Sequence, residues 1–290
     1  MPSIPLAGSL YNLSGTSISN YRVSEPIGSG GYGVVYRGLD VLSPRKLYAI
    51  KCMVKADSGS RHSVFQEREL TLQALVCDHP NIVHLHEILS DDHHIYAVMQ
   101  YCEEGDLFSA IVDRQVYIHR DGLIKAAIVQ LIDAVTYCHS LAIFHRDIKP
   151  ENVMCASKGT RVFLGDFGLA TTTPVSSDFC CGSRYYMSPE CINDELRLTC
   201  YSLPESDLWS LGIILYNLVS MHNPWRFATT EDSNFSMFLH DPLYFRRTLR
   251  LSKEANQILH SIFALNPTDR ICISDLRKQI VALPTFYMRD

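Results

Sequence analysis

Near residue 106 the hydrophobic pattern changes period, so neither a lone sheet nor a lone helical bundle accommodates the whole chain. From Tyr21 to about Tyr101 the apolar residues fall in short β-branched and aromatic runs, GVVYRGL, LYAIKCMV, NIVHLHEIL and HIYAVMQY. Glycines and charged turns separate them, which is the signature of strands. One segment interrupts the series: VFQERELTLQALV, 64–76, repeats its apolar residues at helical spacing and predicts one inserted helix. Beyond Asp106 the runs lengthen and become helical, in DLFSAIVDR, LIKAAIVQLIDAVTYCHS, ESDLWSLGIILYNLVS and SKEANQILHSIFAL. The second of these leads into an apolar helical stretch predicted to end near Phe144. The expectation is an α+β protein with a small β-rich half, about 19–101, a joint at about 100–105, and a larger helical half, about 106–290. Residues 1–18, which contain Ser, Gly and Pro without a clear period, read as a flexible lead-in.

Composition narrows the function classes. The 290 residues are 47% hydrophobic, enough for a sizeable core, and 26 basic against 31 acidic residues give a net charge of -5. That balance gives no reason to expect nucleic-acid binding, and the one basic cluster, RRTLR at 246–250, reads as a solvated helix face. Ten cysteines without a CxxC pair or zinc-site spacing favour reduced thiols, in the cytoplasm or nucleus. The longest apolar run, 208–219, falls short of the roughly 20 residues that span a bilayer, so no membrane partner is expected. The N-terminus does not resemble a signal peptide.

GSGGYGVV at 28–35 fits G-x-G-x-x-G-x-V through Gly28, Gly30, Gly33 and Val35. A Walker-type loop would end in G-K-[S/T], which is missing, and a Rossmann turn would open into a helix, whereas GVVYRGLD reads as a strand. What remains is strand, glycine turn, strand: a flap whose bare backbone could lie close over phosphates. On the next strand, in YAIK, Lys51 could hold phosphate oxygens, and the inserted helix offers Glu69, or less favourably Glu67, to orient it.

HRDIKPEN at 145–152 places Asp147, Lys149 and Asn152 within six residues, and GDFGLA at 165–170 adds Asp166 after an apolar strand. Either stretch alone is an ordinary polar turn. Together they supply one carboxylate for a substrate hydroxyl, plus an amide and a second carboxylate suited to Mg²⁺, which prefers oxygen ligands. SPE at 188–190, DLWSLG at 207–212 and NPTDR at 266–270 follow in order.

These motifs, from about Tyr21 to Ile280, resemble a eukaryotic protein kinase catalytic domain, so the two-lobed kinase fold is implied, with ATP and Mg²⁺ as cofactors. By that resemblance Gly28, Gly30 and Gly33 cover the phosphates, Lys51 binds the α- and β-phosphates and Glu69 pairs with Lys51. Asp147 matches the aspartate that accepts or orients the hydroxyl proton, and Asn152 and Asp166 match the metal ligands. Lys149 looks like the γ-phosphate-contacting lysine of serine/threonine kinases, which implies protein substrates bearing Ser or Thr. Met99 matches the gatekeeper, Gln100 to Cys102 the adenine-bonding linker, Ile27, Val35, Ala49 and Met154 the walls around the ring, and Asp106 the ribose contact. The competing reading is a pseudokinase scaffold, yet Lys51, Asp147, Asn152 and Asp166 are all present.

Some positions depart from the family pattern. Ser188 replaces the usual alanine of A-P-E, while Glu190 still implies a pair with Arg270. Gln73 stands four residues past Glu69, where kinases commonly place an apolar residue. Arg146 precedes Asp147, an arrangement commonly served by an activation-segment phosphate, but the residue three before Gly182 is Phe179. Asp178 could supply that charge, or a phosphate on Ser176 or Ser177 placed by an upstream kinase. Cys180 and Cys181 adjoin this segment, and ordinary packing remains the default reading for them. GSRYYMSPE and RELTLQALVCDHPNIVHLHE are similar to fungal kinases that regulate nutrient response and entry into meiosis. In that setting a regulatory protein is a further expected partner.

Overall fold

The computed structural model describes residues 12–30, 33–43 and 45–288. The chain divides into two compact units, the first running to Asp78 and resuming over Val83–Glu103, the second made of His79–Ile82 and the chain from Glu104 onward. Of the expected lead-in, residues 1–11 lie outside the described residues.

The first unit is an antiparallel sheet of β1 (Ser17–Ile18), β2 (Tyr21–Gly30), β3 (Gly33–Asp40), β4 (Leu47–Val54), β5 (Leu85–Ser90) and β6 (His94–Gln100), in the order β1-β2-β3-β4-β6-β5. One face carries a core of Tyr21, Val23, Tyr36, Tyr48, Ile50, Cys52, Tyr96 and Val98. The other collects Met53, Cys77, Leu85 and Ala97. Strand alternation sends Ile50 into the first core and turns Lys51 to the opposite face, with Ala49 beside it. The run NIVHLHEIL is only partly strand: β5 begins at Leu85, and Ile82 instead bridges Leu164 within the second unit.

The inserted helix α1 (Arg61–Val76) starts three residues before the apolar period does. Ser60 caps it by accepting from the Ser63 amide at 3.1 Å, a bond worth about 1 kcal/mol. Its buried side includes two glutamines, which satisfy backbone groups there. Gln66 Nε2 donates to Val54 O at 2.6 Å and Gln73 Nε2 to Val83 O at 2.6 Å.

The second unit is built on helices: α2 (Leu107–Val112), α3 (Asp121–Ser140), α4 (Pro189–Ile192), α5 (Leu203–Ser220), α6 (Ser233–His240), α7 (Tyr244–Leu249), α8 (Lys253–Ile262) and α9 (Ile273–Ala282). The helix before HRDIKPEN ends at Ser140, four residues short of Phe144. Ala142 takes a left-handed φ of 53° and Phe144 pairs with Thr171, so those residues leave the helical path. Two short hairpins complete the unit: β7 (Val153–Ala156) with β8 (Arg161–Leu164), and β9 (Val175–Ser176) with β10 (Tyr201–Ser202).

α5 is buried along almost its whole length, which accounts for its uninterrupted apolar run. Trp209 on α5 packs against Trp225 and Phe263, and Trp225 in turn meets Phe235 and Phe245. At the edge of this cluster Arg270 meets Glu190 in a two-bond ion pair at 2.5 and 2.7 Å, with the guanidinium over the Trp209 ring. RRTLR lies on α7 and just past it, with Arg247 and Arg250 exposed.

Candidate active site

In the first unit, β2 and β3 pair down to Gly30 opposite Gly33, so GSGGYGVV is a strand, a turn and a strand, with residues 31 and 32 outside the described set. Gly33 is demanded by the sheet itself, because a Cβ there would lie 2.2 Å from Cys52 O. Gly28 and Gly30 are not: a Cβ at Gly28 would meet only Val35 at 3.9 Å and one at Gly30 would meet nothing within 4 Å. Their bareness leaves open space beside the strand, which suits a bulky group against the backbone.

Register then gathers the neighbours of Lys51. Val35 lies opposite Lys51, which lies opposite Ala97, and in the next row Ala49 lies opposite Met99. Directly opposed residues share a sheet face, so Val35, Ala49, Lys51 and Met99 face one way. Lys51 Nζ pairs with Glu69 on α1, and both side chains are largely buried. Glu67 instead stays exposed, 3.4 Å from the Ser63 hydroxyl. Ile27 is half exposed, Cys102 is buried, and the Gln100 amide donates to His84 O at 2.8 Å.

In the second unit, the HRDIKPEN loop is held from below by a residue outside its own motif. Asp207, buried on α5, accepts from the His145 and Arg146 amides at 2.9 Å each and from His139 Nε2 at 2.9 Å. Burial alone would raise the Asp207 carboxyl, but bonds and charge from His139 and His145 hold it below the usual carboxylate range. His145 Nε2 meets Gly165 O at 2.9 Å, and the Gly165 amide donates to Asn152 O at 2.8 Å, tying the loop to the segment carrying Asp166.

Above this anchor the polar side chains converge. Lys149 Nζ lies 2.7 Å from Asp147 Oδ2 and 2.8 Å from Ser183 Oγ. Asn152 Nδ2 donates to Asp147 O at 2.8 Å and to Oδ2 at 3.2 Å. Asp147 Oδ1 is buried and has no hydrogen-bond partner. A carboxylate with one oxygen held by a cation and an amide and the other unclaimed can accept from an incoming hydroxyl. Gly182 leaves room for it: φ is +107°, and a Cβ there would fall 2.5 Å from Arg146 O and 3.4 Å from Asp147 Oδ1.

Asp166 is exposed and takes a left-handed φ of 57°, while Phe167 beside it is buried against His145. With its amide nitrogen committed to Asp147, Asn152 turns its oxygen away from that residue. The donor set is thus carboxylate and amide oxygen, which fits Mg²⁺ rather than a softer metal. Asp106 bridges Met154 and caps α2 through Ser109 N at 2.7 Å.

Arg146 is nearly buried, its side chain 7% exposed, and reaches the activation segment at 3.4 Å from both Ser176 Oγ and Asp178 Oδ2. Sequence reading passed over Asp207 and His139 as site residues. The available signal was an aspartate at the head of an apolar helical run, where a buried charge needs partners. Elsewhere, Cys77, Asp78 and His84 bring ligand-type atoms within 4.8 Å of one another, a grouping the spacing did not announce. There the Cys77 thiol faces the Ala74 and Leu85 carbonyls and His84 Nδ1 the Cys77 carbonyl.

Comparison with known proteins adds an independent finding. Residues 21–281 match the protein kinase domain family. The chain is 43% identical over 274 residues to the negative regulator of sexual conjugation and meiosis of Schizosaccharomyces pombe, across 88% of this chain and 58% of that protein. It is 34% identical to the serine/threonine-protein kinase VHS1 of Saccharomyces cerevisiae, across 93% of this chain and 71% of the relative. For SKS1, a serine/threonine-protein kinase of the same yeast, identity is 32%, across 94% and 67%.

Proposed function

The chain belongs to the protein kinase family, and on that footing we propose that it is an ATP- and Mg²⁺-dependent serine/threonine kinase, moving the γ-phosphoryl group of ATP to protein hydroxyls. The unclaimed Oδ1 of Asp147, beside an Oδ2 occupied by Lys149 and Asn152, carries this reading. Nothing in the chain favours a non-catalytic scaffold.

In this mechanism Asp147 Oδ1 accepts the hydrogen of the substrate hydroxyl and turns the oxygen lone pair toward phosphorus. The hydroxyl oxygen then forms the new P–O bond, the bond to the ADP oxygen breaks, and the proton passes to Asp147. Lys149 stabilises charge on the transferring group while Asn152 keeps Asp147 in place. Asn152 and Asp166 would hold Mg²⁺, which neutralises phosphate charge when bound. Lys51, oriented by Glu69, would hold the α- and β-phosphates under the backbone of Gly28, Gly30 and Gly33. Ile27, Val35, Ala49, Met99, Cys102 and Met154 would meet the adenine, and Asp106 the ribose.

The name of the fission-yeast relative supports a role in restraining entry into meiosis, and ten cysteines without a zinc-site or CxxC spacing support a reducing compartment, the cytoplasm or nucleus. Among the described residues no helix is long and apolar enough to cross a membrane. The test is transfer of labelled γ-phosphate from ATP to a degenerate serine, threonine and tyrosine peptide library, with and without Mg²⁺. Label on serine and threonine only, lost on chelation, is expected. Nucleotide binding without transfer would replace the enzyme with a scaffold.

A further inference from the structure

The grouping of Cys77, Asp78 and His84 takes no part in the proposed chemistry, and all three residues belong to the first unit. Cys77 closes α1, Asp78 follows it, and His84 stands one residue before β5. One ligand-type atom from each, a sulfur, a carboxylate oxygen and an imidazole nitrogen, lies within 4.8 Å of the other two. Bonds of about 2.0–2.3 Å to a shared tetrahedral ion place such atoms roughly 3.3–3.8 Å apart, so small side-chain turns close the set. Cys77 is buried, His84 half-buried and Asp78 exposed, which leaves the carboxylate side open to an entering ion.

The surrounding bonds fix the spacing of the set. Gln73 Nε2 on α1 donates to Val83 O at 2.6 Å, and the Gln100 amide donates to His84 O at 2.8 Å. The residue before His84 is thus tied to α1, and His84 itself to β6. His84 Nδ1 lies 3.0 Å from Cys77 O. A carbonyl only accepts, so Nδ1 carries the hydrogen and the lone pair is left on Nε2, the arrangement in which a histidine takes a metal. The electrostatics also favour a cation. The carbonyl dipoles of α1 end at this point, and its last turn holds no basic residue to match their partial negative charge.

The donor types select the ion. Thiolate with imidazole suits zinc-class ions, whereas Mg²⁺ prefers oxygen ligands throughout. Cys77 Sγ faces the Ala74 and Leu85 carbonyls at 3.4 and 3.8 Å, as a thiol donating its hydrogen. An entering ion takes the sulfur, and that proton leaves to solvent. We propose that Cys77, Asp78 and His84 form a binding site for one Zn²⁺-class ion, with three protein ligands and a fourth position for water, joining the end of α1 to the start of β5. Asn152 and Asp166 belong to the other unit, and the inference does not depend on the kinase reading.

The experiment uses the full chain, freed of metal by a chelator and kept reduced by a phosphine, and titrates it with Co²⁺ alone as the spectroscopic probe, without ATP or Mg²⁺. A near-ultraviolet thiolate-to-cobalt band and the strong visible bands of a tetrahedral ion are expected, bleached when Zn²⁺ displaces Co²⁺. Cys77→Ser is expected to abolish the thiolate band. Asp78→Asn and His84→Asn are each expected to weaken Co²⁺ binding about tenfold or more. Cys77 is buried, so Asp78→Asn, at an exposed position, carries the test if the serine variant does not fold. Three results would each overturn the site and leave the kinase reading standing: no thiolate band at excess Co²⁺, a band that survives Cys77→Ser and is lost in Cys200→Ser, or an affinity that either Asp78→Asn or His84→Asn leaves unchanged.

Discussion

Arg146 belongs to two regions held in opposite ways. Its backbone amide is clamped by the buried Asp207 at 2.9 Å, with His145 clamped beside it. Its guanidinium meets Ser176 and Asp178 only at 3.4 Å, and the Asp178 side chain is 76% exposed. The loop from His145 to Asn152 is therefore over-determined, while the segment from Thr171 to Gly182 is tied by backbone bonds at Thr171, Pro174 and Cys180 and by a two-residue strand pair, and only its charged contact with Arg146 is long and exposed. In the proposed mechanism, the groups that would meet the reacting phosphorus sit in the first region. Groups able to shift with charge state sit in the second, where exposed ion pairs contribute little individually.

The strongest way to break this contrast is to remove the anchor. Asp207→Ala orphans two buried amides and His139, so a loss of about 3–5 kcal/mol is expected in denaturant unfolding, together with loss of transfer. Asp207→Asn keeps one acceptor and is expected to fall between that variant and the parent. Next, Gly182→Ala places a Cβ against Arg146 O at a φ of +107°, where strain of about 1–3 kcal/mol is expected. Its readout is a lowered melting temperature with a fall in kcat, since the crowded atoms adjoin Asp147.

Asp178→Asn tests the loose region. An exposed pair contributes about 0.2–1 kcal/mol, so activity is expected to fall about twofold to fivefold in protein shown by intact mass to carry no phosphate. Phosphorylation of Ser176, another contact of Arg146, is expected to restore it. Complete dependence of the parent protein on that phosphate would instead make Asp178 a bystander.

The smallest effect concerns pH. Burial lowers the His260 value below that of the unfolded chain, and His79 and His86 shift in the same sense. Below about 6.5 the unfolded chain then binds more protons than the folded one. Stability is thus full above the unfolded value and declines as pH falls toward the folded value. His260→Phe, beside Phe238 and Phe245, is expected to flatten part of that decline in unfolding curves between about pH 7.5 and about pH 5.5.

Local patterns were the legible ones. The pairing of Lys51 with Glu69 and of Glu190 with Arg270 was implied by the resemblance to the kinase family, and the period change near residue 106 separated a sheet-rich region from a helical one. What stayed hidden depends on distant partners. Asp207 serves amides about sixty positions away, and β9 exists only because β10 lies beside it. The start of α1 was missed because Arg61, His62 and Ser63 carry no apolar period and the Ser60 cap signal is a single hydroxyl. Gln73 departed from the apolar residue kinases commonly place there, and it is bonded to Val83 O, a pairing that depends on the chain returning after Asp78.

The most direct test of the catalytic loop is kcat for Asp147→Asn with Mg²⁺ and ATP, measured alongside nucleotide affinity. A fall of about 10²–10⁴-fold with affinity nearly unchanged is expected, because the amide offers no base to the hydroxyl at Oδ1. Transfer within a fewfold of the parent protein would contradict the assignment of Asp147 and the mechanism built on it.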